Sequence, residues 1–209
     1  MKYIIMADGE GKRWGNYKNV PKHLITIEGE TILTRTLRLL QENNIPKEDI
    51  WVTSSDPRYK EIWDNTIPQS IKDCELERFE ESLVDGPVCY LYGDVYYSEN
   101  AMKTIINTPT DDILFFGSNW EIFAIKVAQV DKFLNEKHIV KDKYMTGELN
   151  RCIGWEIYRS LHGLLMEDEY DFDNHRITDD YVKILDENMD FDYPNEYEEW
   201  LVTYGKKSV

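Results

Sequence analysis

A segment near the start of the chain combines glycines with positive charge, as the binding of a phosphate group requires. It reads Ala7-Asp8-Gly9-Glu10-Gly11-Lys12-Arg13, and Pro21-Lys22 follows after a spacer of seven residues. Glycine lets a backbone approach a ligand that a Cβ would hold away, and the N–H groups of such a loop can face an anion. A triphosphate needs backbone donors and cations together, because several of its oxygens carry charge. We therefore interpret the segment as a candidate phosphate loop, with a plain turn as the alternative.

The elements around this loop follow an alternating order. The loop comes directly after residues 3–6, a continuous apolar run typical of a strand buried on both faces of a parallel sheet. Further strands are predicted at 50–53, 88–92, 113–116 and 122–127, and helices at 31–40, 57–63, 77–83, 99–106, 129–135, 146–165 and 194–202. This alternation predicts an α/β fold with a mainly parallel sheet, and we expect a single domain over residues 1–209.

The composition of the chain restricts its partners. With 24 Lys+Arg against 40 Asp+Glu the formal charge is −16, which disfavours nucleic acid and anionic membranes as partners. Residues 1–23 depart from this balance with five Lys/Arg and two Asp/Glu, so they would attract a small anion. Cys74, Cys89 and Cys152 form no C-x-x-C pair, and we expect buried thiols rather than a disulfide. The short N-terminal apolar run predicts neither a signal peptide nor a membrane span, so we expect a cytoplasmic protein.

The loop and the sequence after it match a known pattern. IIMADGEGKRW followed by VPKHLITIEGETIL resembles the nucleotidyltransferases that join nucleoside triphosphates to phosphorylated sugars, polyols or choline. Their pattern is an apolar strand, A-[AG]-G-x-G-x-R-[LM], then P-K and another apolar strand. Two later segments fit in order: YLYGD at 90–94 resembles the family's strand that ends in G-D, and FDYPNEY at 191–197 resembles V-D-T-P-E-D-L. The resemblance implies a three-layer α/β/α, Rossmann-like fold similar to that of the GT-A glycosyltransferases.

The resemblance also implies a role for each matching residue. Nucleotide binding falls to Ala7, Asp8, Gly9, Gly11 and Lys12, and catalytic charge neutralisation to Lys22 and Arg13. The Mg²⁺ cofactor would be held by Asp94 and Asp192, which suits a metal that commonly takes one or two carboxylates plus substrate phosphates. Asp190 would share a face with Asp192 in an extended segment and stays an alternative. The structural alternatives are a surface lysine for Lys22, a salt bridge for Arg13 and a turn or helix cap for Asp94.

Three features depart from the family pattern or leave it incomplete. Asp8 stands where the family has Ala or Gly, which places an acid beside the expected phosphates. Trp14 replaces the usual Leu or Met. Residues 70–87 lack the Gln-rich, Gly-Thr segment with which many members read the base. The spacer before Pro21-Lys22 resembles that of cytidylyltransferases and favours CTP.

The predicted helix over 146–165 carries two stripes. One is apolar, and the other holds Glu148, Arg151, Trp155, Arg159 and His162. A solvated face is one interpretation of the second stripe. The other is contact with a partner subunit or with the acceptor's phosphate, for which Arg151 and Arg159 are the candidates.

The resemblance implies Mg²⁺-dependent transfer of a nucleoside monophosphate to a phosphorylated small-molecule acceptor, with release of pyrophosphate. The expected partners are therefore a nucleoside triphosphate and this acceptor, and capsule or cell-wall precursors are the expected context. One alternative is a glycosyltransferase of related fold, for which Asp190-Phe191-Asp192 imitates a D-x-D metal motif. Another is a nucleotide-binding protein without turnover, which Asp8 and the missing base-reading segment favour. The oligomeric state stays open.

Overall fold

A computed structural model describes residues 1–9, 11–69, 72, 74–164, 180–186 and 189–204. The strands are β1 (Lys2–Met6), β2 (Thr26–Ile27), β3 (Glu30–Thr31), β4 (Ile50–Ser54), β5 (Thr66–Pro68), β6 (Val88–Tyr92), β7 (Val95–Tyr96), β8 (Ile113–Gly117), β9 (Ile122–Val127), β10 (Tyr181–Lys183) and β11 (Met189–Asp190). The α-helices are α1 (Ile32–Glu42), α2 (Arg58–Ile62), α3 (Glu99–Asn107), α4 (Val130–Met145), α5 (Gly154–Leu161) and α6 (Pro194–Thr203).

Seven strands form one sheet in the order β10-β8-β9-β6-β1-β4-β5. Every neighbouring pair is parallel except the two that involve β9. The central strand β1 is buried on both faces because its side chains alternate between two cores. Ile5 packs with α1 and α3, whereas Ile4 packs with α4 and α5. The mainly parallel, three-layer α/β/α arrangement predicted from the sequence is therefore confirmed.

The helix predicted over 146–165 was too long. Helix α4 continues to Met145 and ends there, because Gly147, two residues further on, takes a left-handed conformation (φ +79°). Residues 146–153 then form a loop, and α5 spans only Gly154–Leu161. Residue 165 lies outside the described residues. The helix predicted over 77–83 was also wrong, because this region holds only a 3₁₀ turn at Glu75–Arg78.

A two-stranded ribbon carries the late acidic segment to the centre of the sheet. Strand β11 pairs antiparallel with β7, so that Asp190 lies opposite Val95, next in the chain to Asp94. Phe191 is fully buried against Tyr197 and Trp200 of α6. Glu196 fixes the start of this helix by accepting hydrogen bonds from the backbone N–H groups of Asp192 and Tyr193. Packing and capping together hold the segment against the end of β6.

Candidate active site

A cleft of about 680 Å³ opens at the carboxyl ends of β1 and β6, which is where parallel sheets bind their ligands. The residues of the sequence prediction that line it are Gly9, Gly11, Lys12, Arg13, Lys22, Asp94, Asp192 and Arg151. Ala7 and Asp8 are buried at the end of β1 and do not line the cleft. Arg159 does not line it either. The structure therefore brings most of the predicted residues into one site.

Asp94 stands beside the phosphate loop because the ends of β1 and β6 touch at a glycine. The backbone N–H of Gly93 donates to the carbonyl of Met6 over 3.0 Å. A Cβ at Gly93 would lie 2.5 Å from that carbonyl oxygen, so a larger residue would push the two strand ends apart. Within the loop, Gly11 has a φ of +64° and its carbonyl accepts from Trp14, which turns the chain back towards the cleft.

Two cations and two acids form a connected ion-pair network in the cleft. The ammonium of Lys22 contacts Asp94 and lies 3.3 Å from Oδ1 of Asp192. The other oxygen of Asp192 lies 2.5 Å from Nη1 of Arg13. Burial works to raise the pKa of Asp94, but the nearby positive charges and the hydrogen bond from Lys22 together outweigh it, Lys22 contributing most, and hold that pKa at about 2. Burial likewise works to lower the pKa of Lys22, and the surrounding acids raise it above its usual range.

Three carboxylates converge at this point. Asp94, Asp190 and Asp192 each offer an oxygen, and these oxygens lie within 4.8 Å of one another. Oδ1 of Asp190 is buried without a hydrogen-bond partner among the described residues. Burial, with Asp94 close by, raises the pKa of Asp190 well above its usual range. A set of oxygen ligands with an unsatisfied buried oxygen fits Mg²⁺, which prefers carboxylates.

A segment that the sequence prediction did not identify crosses the mouth of the phosphate loop. This crossing segment comprises residues 72 and 74–78, and it contributes Lys72, Glu75 and Arg78 to the cleft lining. Gly9 forms an isolated parallel bridge with Lys72. No motif marks these residues. One feature of the sequence could have pointed to Arg78: it is the only Lys or Arg in the acidic segment 74–87.

The crossing segment is attached to the opposite side of the cleft. Cys74 and Cys152 form a disulfide with a Cα–Cα distance of 5.3 Å, which corrects the expectation of three free thiols. Cys89 alone is free, and it is buried on β6. Oε1 of Glu75 accepts from Tyr92 Oη at 2.6 Å and from the backbone N–H of Gly154 at 2.7 Å. The pairing was missed because the two cysteines are 78 residues apart and meet only in the folded chain.

The wall of the cleft opposite the loop is aromatic and carries few charges. Trp120 and Tyr144 line it with 51% and 37% of their surfaces exposed. Arg151 lies there on the loop before α5, with Nε 3.4 Å from Oε1 of Glu156. Arg159 is buried and contacts the same oxygen at 3.2 Å. Both arginines thus pair with Glu156, but only Arg151 also lines the cleft.

Sequence comparison finds a similar protein over part of the chain. No family model matches the chain. Over 73 residues it is 36% identical to the bifunctional IPC transferase and DIPP synthase of Thermococcus kodakarensis, a match that covers 35% of this chain and 16% of that protein. None of the described helices is long and apolar enough to span a membrane.

Solved structures match over nearly the whole length of the chain. The CTP:phosphocholine cytidylyltransferase of Streptococcus pneumoniae superimposes with a TM-score of 0.56 at 14% identity, covering 97% of this chain and 98% of its own. The inositol-1-phosphate CTP transferase of T. maritima gives 0.57 at 13% identity, covering 100% and 97%. The nucleoside-diphosphate-sugar pyrophosphorylase of Vibrio cholerae RC9 gives 0.59 at 13% identity, covering 96% and 99%. The chain therefore has the fold of the sugar-phosphate, inositol-phosphate and phosphocholine nucleotidyltransferases, as the sequence resemblance implied.

Proposed function

We propose that this protein is a nucleotidyltransferase that moves a nucleoside monophosphate from a nucleoside triphosphate to a phosphorylated small molecule. The observation that carries the proposal is the meeting of Lys22 and Arg13 with three carboxylates beside the glycine loop. Cations and a divalent-metal ligand set in one cleft are what phosphoryl transfer requires, because its catalysis is mostly positioning and charge neutralisation. The fold shared with known nucleotidyltransferases supports the same conclusion.

In this reaction an oxygen of the acceptor phosphate attacks the α-phosphorus of the triphosphate. A new P–O bond forms, the bond to the bridging oxygen of the β-phosphate breaks, and pyrophosphate leaves with its electron pair. An ionised phosphate carries no proton at the attacking oxygen, so no general base is needed. Lys22 and Arg13 stabilise charge on the transferring phosphate and the leaving group.

Asp94 and Asp192 would hold the Mg²⁺, with Asp190 as the alternative to Asp192. When bound, the ion supplies charge neutralisation to the phosphate oxygens. The carboxylates that would face the ion are the ones that now pair with Lys22 and Arg13. A triphosphate and Mg²⁺ can therefore exchange partners with the existing ion pairs: phosphate oxygens would take over Lys22 and Arg13, and the ion would take over the carboxylates. The binding of the two is coupled for this reason.

The ligand roles of the acids can be separated by asparagine variants, which keep the shape of each side chain and remove its charge. We expect Asp94→Asn and Asp192→Asn to need more Mg²⁺ for half-maximal turnover. A Mg²⁺ titration of Asp190→Asn is the matched comparison, since Asp190 is two residues from Asp192 and in the same cluster. A shift for Asp190→Asn but not Asp192→Asn would reverse the assignment, and a shift for neither would remove the late acidic segment from the metal site.

CTP is the favoured donor in this proposal. The spacer of seven residues before Pro21-Lys22 supports it. So does the fold that the chain shares with a CTP:phosphocholine cytidylyltransferase and an inositol-1-phosphate CTP transferase. For the acceptor, Arg151 is the candidate phosphate ligand, because it faces the cleft from the wall opposite the loop. A charge-assisted hydrogen bond from a guanidinium suits a phosphate monoester.

A matrix of triphosphates and acceptors tests the function directly. Each of the four ribonucleoside triphosphates would be incubated with Mg²⁺ and with phosphocholine, inositol 1-phosphate or glucose 1-phosphate, and pyrophosphate would be measured. We expect release that depends on both substrates and is largest with CTP. Pyrophosphate from no pair, together with sugar transfer from a nucleoside diphosphate sugar, would instead show a glycosyltransferase.

A further inference from the structure

Arg78 of the crossing segment lies directly against the phosphate loop. If a Cβ were added to Gly9, it would lie 2.9 Å from both Cζ and Nη1 of the Arg78 guanidinium. The neighbouring backbone is tied to the loop as well, since Gly9 bridges to Lys72 and the N–H of Lys72 points to the carbonyl of Asp8. The guanidinium thus occupies the space that the missing side chain of Gly9 leaves free.

Three acids lie close to Arg78, but two of them already have other partners. Its Nε is buried and has no hydrogen-bond partner among the described residues. The acids on which its charge acts are Asp8, Glu75 and Asp94. Glu75 already accepts from Tyr92 and Gly154, and Asp94 is in contact with Lys22. Arg78 therefore presents a guanidinium to the cleft beside the loop that is the candidate phosphate site.

The buried carboxyl group of Asp8 accounts for the position of the Arg78 guanidinium beside Gly9. It is 1% exposed, and its Oδ1 has no hydrogen-bond partner among the described residues. Burial raises its pKa to about 6, while the positive charges of Arg78 and Lys72 act in the opposite direction. A buried carboxylate directly before Gly9 thus attracts the crossing segment towards the loop from beneath.

We propose that Arg78 binds the triphosphate and that Asp8 is the residue that positions it. This inference rests on the proposed function and adds a third cation to Lys22 and Arg13. It gives the acid at position 8 a role beneath the loop, where it does not face the phosphates. We assign the phosphate chain as the ligand because the guanidinium of Arg78 lies against Gly9 of the candidate phosphate loop.

The test uses inorganic tripolyphosphate with Mg²⁺, a probe that carries neither base nor ribose. Its dissociation constant would be measured by calorimetry on the full chain, together with those of the four nucleoside triphosphates. We expect Arg78→Gln to weaken tripolyphosphate and all four nucleotides by about 10- to 100-fold, the loss for one charge-assisted hydrogen bond. Arg78→Lys, which keeps the charge but not the fork, should lie between Arg78→Gln and the wild type.

Arg58→Gln is the matched control. Arg58 is exposed on α2, paired with Asp56, and should leave every constant unchanged. If the wild type binds no triphosphate, the proposed function fails. If the wild type binds and Arg78→Gln binds equally well, only this inference fails. A loss confined to one nucleotide, with tripolyphosphate unaffected, would assign Arg78 to the base and overturn the phosphate role.

For Asp8 the direction of the change decides between two effects. Removing a negative charge near a phosphate would strengthen binding, whereas losing the group that positions Arg78 would weaken it. We expect Asp8→Asn to weaken tripolyphosphate by about 3- to 10-fold and to leave the acceptor KM unchanged. In the Arg78→Gln background the same substitution should have no further effect, because the two residues would act through one contact. Stronger binding by Asp8→Asn, or additive losses in the double variant, would contradict the positioning role.

Discussion

The two walls of the cleft differ in the charged groups that they present and in the contacts that hold them in place. The loop wall, which comprises residues 9 and 11–22 with Asp94 and residues 190–192, holds a dense ion-pair network at the ends of buried strands. The acceptor wall, which comprises Trp120, Tyr144 and residues 150–155, presents aromatic surface and one cleft-facing arginine. It is fixed by a disulfide and by hydrogen bonds to Glu75. Under the proposed function, we assign the chemistry to the first wall and acceptor recognition to the second.

The largest effect should come from removing the central cation of the loop wall. We expect Lys22→Ala to lower kcat by about 10²- to 10³-fold, which corresponds to about 3 to 4 kcal/mol of lost transition-state stabilisation. Steady-state pyrophosphate release measures it. Lys103→Ala, an exposed lysine of α3, is the control and should keep full activity. Turnover near the wild-type level in Lys22→Ala would contradict a catalytic role for Lys22. It would also contradict the assignment of the chemistry to the loop wall.

The next effect concerns the covalent link to the acceptor wall. Cys74→Ser should lower the free energy of unfolding by about 2 to 4 kcal/mol under non-reducing conditions, because the unfolded chain regains the freedom of a long loop. Urea unfolding measures this. Reduction of the wild type by a dithiol should abolish the difference between the two proteins. Equal stability before reduction, or three titratable thiols in the unreduced unfolded wild type, would show that the link does not form.

Asp8 predicts a pH dependence of stability. Its pKa is raised to about 6 in the folded chain, so the folded state favours the protonated acid. Relative to Asp8→Asn, which stays neutral, the wild type should match below about pH 3 and lose up to about 3 kcal/mol of stability as the pH rises from about 4 through 6. Unfolding at a series of pH values measures the difference. A difference between the wild type and Asp8→Asn that stays constant over the pH series would refute the raised pKa.

The smallest effect tests the assignment of the acceptor wall. Arg151→Gln should raise the KM for the acceptor about tenfold, which corresponds to about 1.4 kcal/mol for a partly exposed charge-assisted hydrogen bond. The KM for the triphosphate should stay unchanged, because that substrate faces the loop wall. Initial rates with each substrate varied in turn give both constants. A rise in the triphosphate KM alone would show that Arg151 contacts the triphosphate and not the acceptor.

Much of the loop wall could be predicted from the sequence. Asp94 follows an apolar run and the turn after it, and a parallel sheet brings such strand ends together. Lys22 was identified differently, through the resemblance of Pro21-Lys22 and its spacing to the nucleotidyltransferase pattern. Asp190 and Asp192 were expected to converge because side chains two residues apart in an extended segment lie on the same face. Arg78 could not be assigned a role, because its position depends on a crossing segment that is held by contacts with residues far along the chain.

The acceptor wall shows the same limit. The predicted helical stripe that joined Arg151 to Arg159 is interrupted by the loop at 146–153. Arg151 therefore lines the cleft and Arg159 is buried, although both contact Glu156. Periodicity alone cannot show where a helix begins when the boundary depends on tertiary packing. The disulfide and Trp120 belong to the same class of feature, since each becomes part of the cleft only through the fold.

The central claim is that the cleft binds a triphosphate with Mg²⁺, and ligand-induced thermal stabilisation tests it without knowledge of the acceptor. At 100 times its dissociation constant the preferred nucleotide should stabilise the folded state by about 2.7 kcal/mol. For a chain of this size that is roughly 5 to 10 °C in Tm. With the four ribonucleoside triphosphates, each with and without Mg²⁺, we predict the largest rise for CTP and a clear dependence on Mg²⁺. A change below about 1 °C with every triphosphate at millimolar concentration would contradict the account.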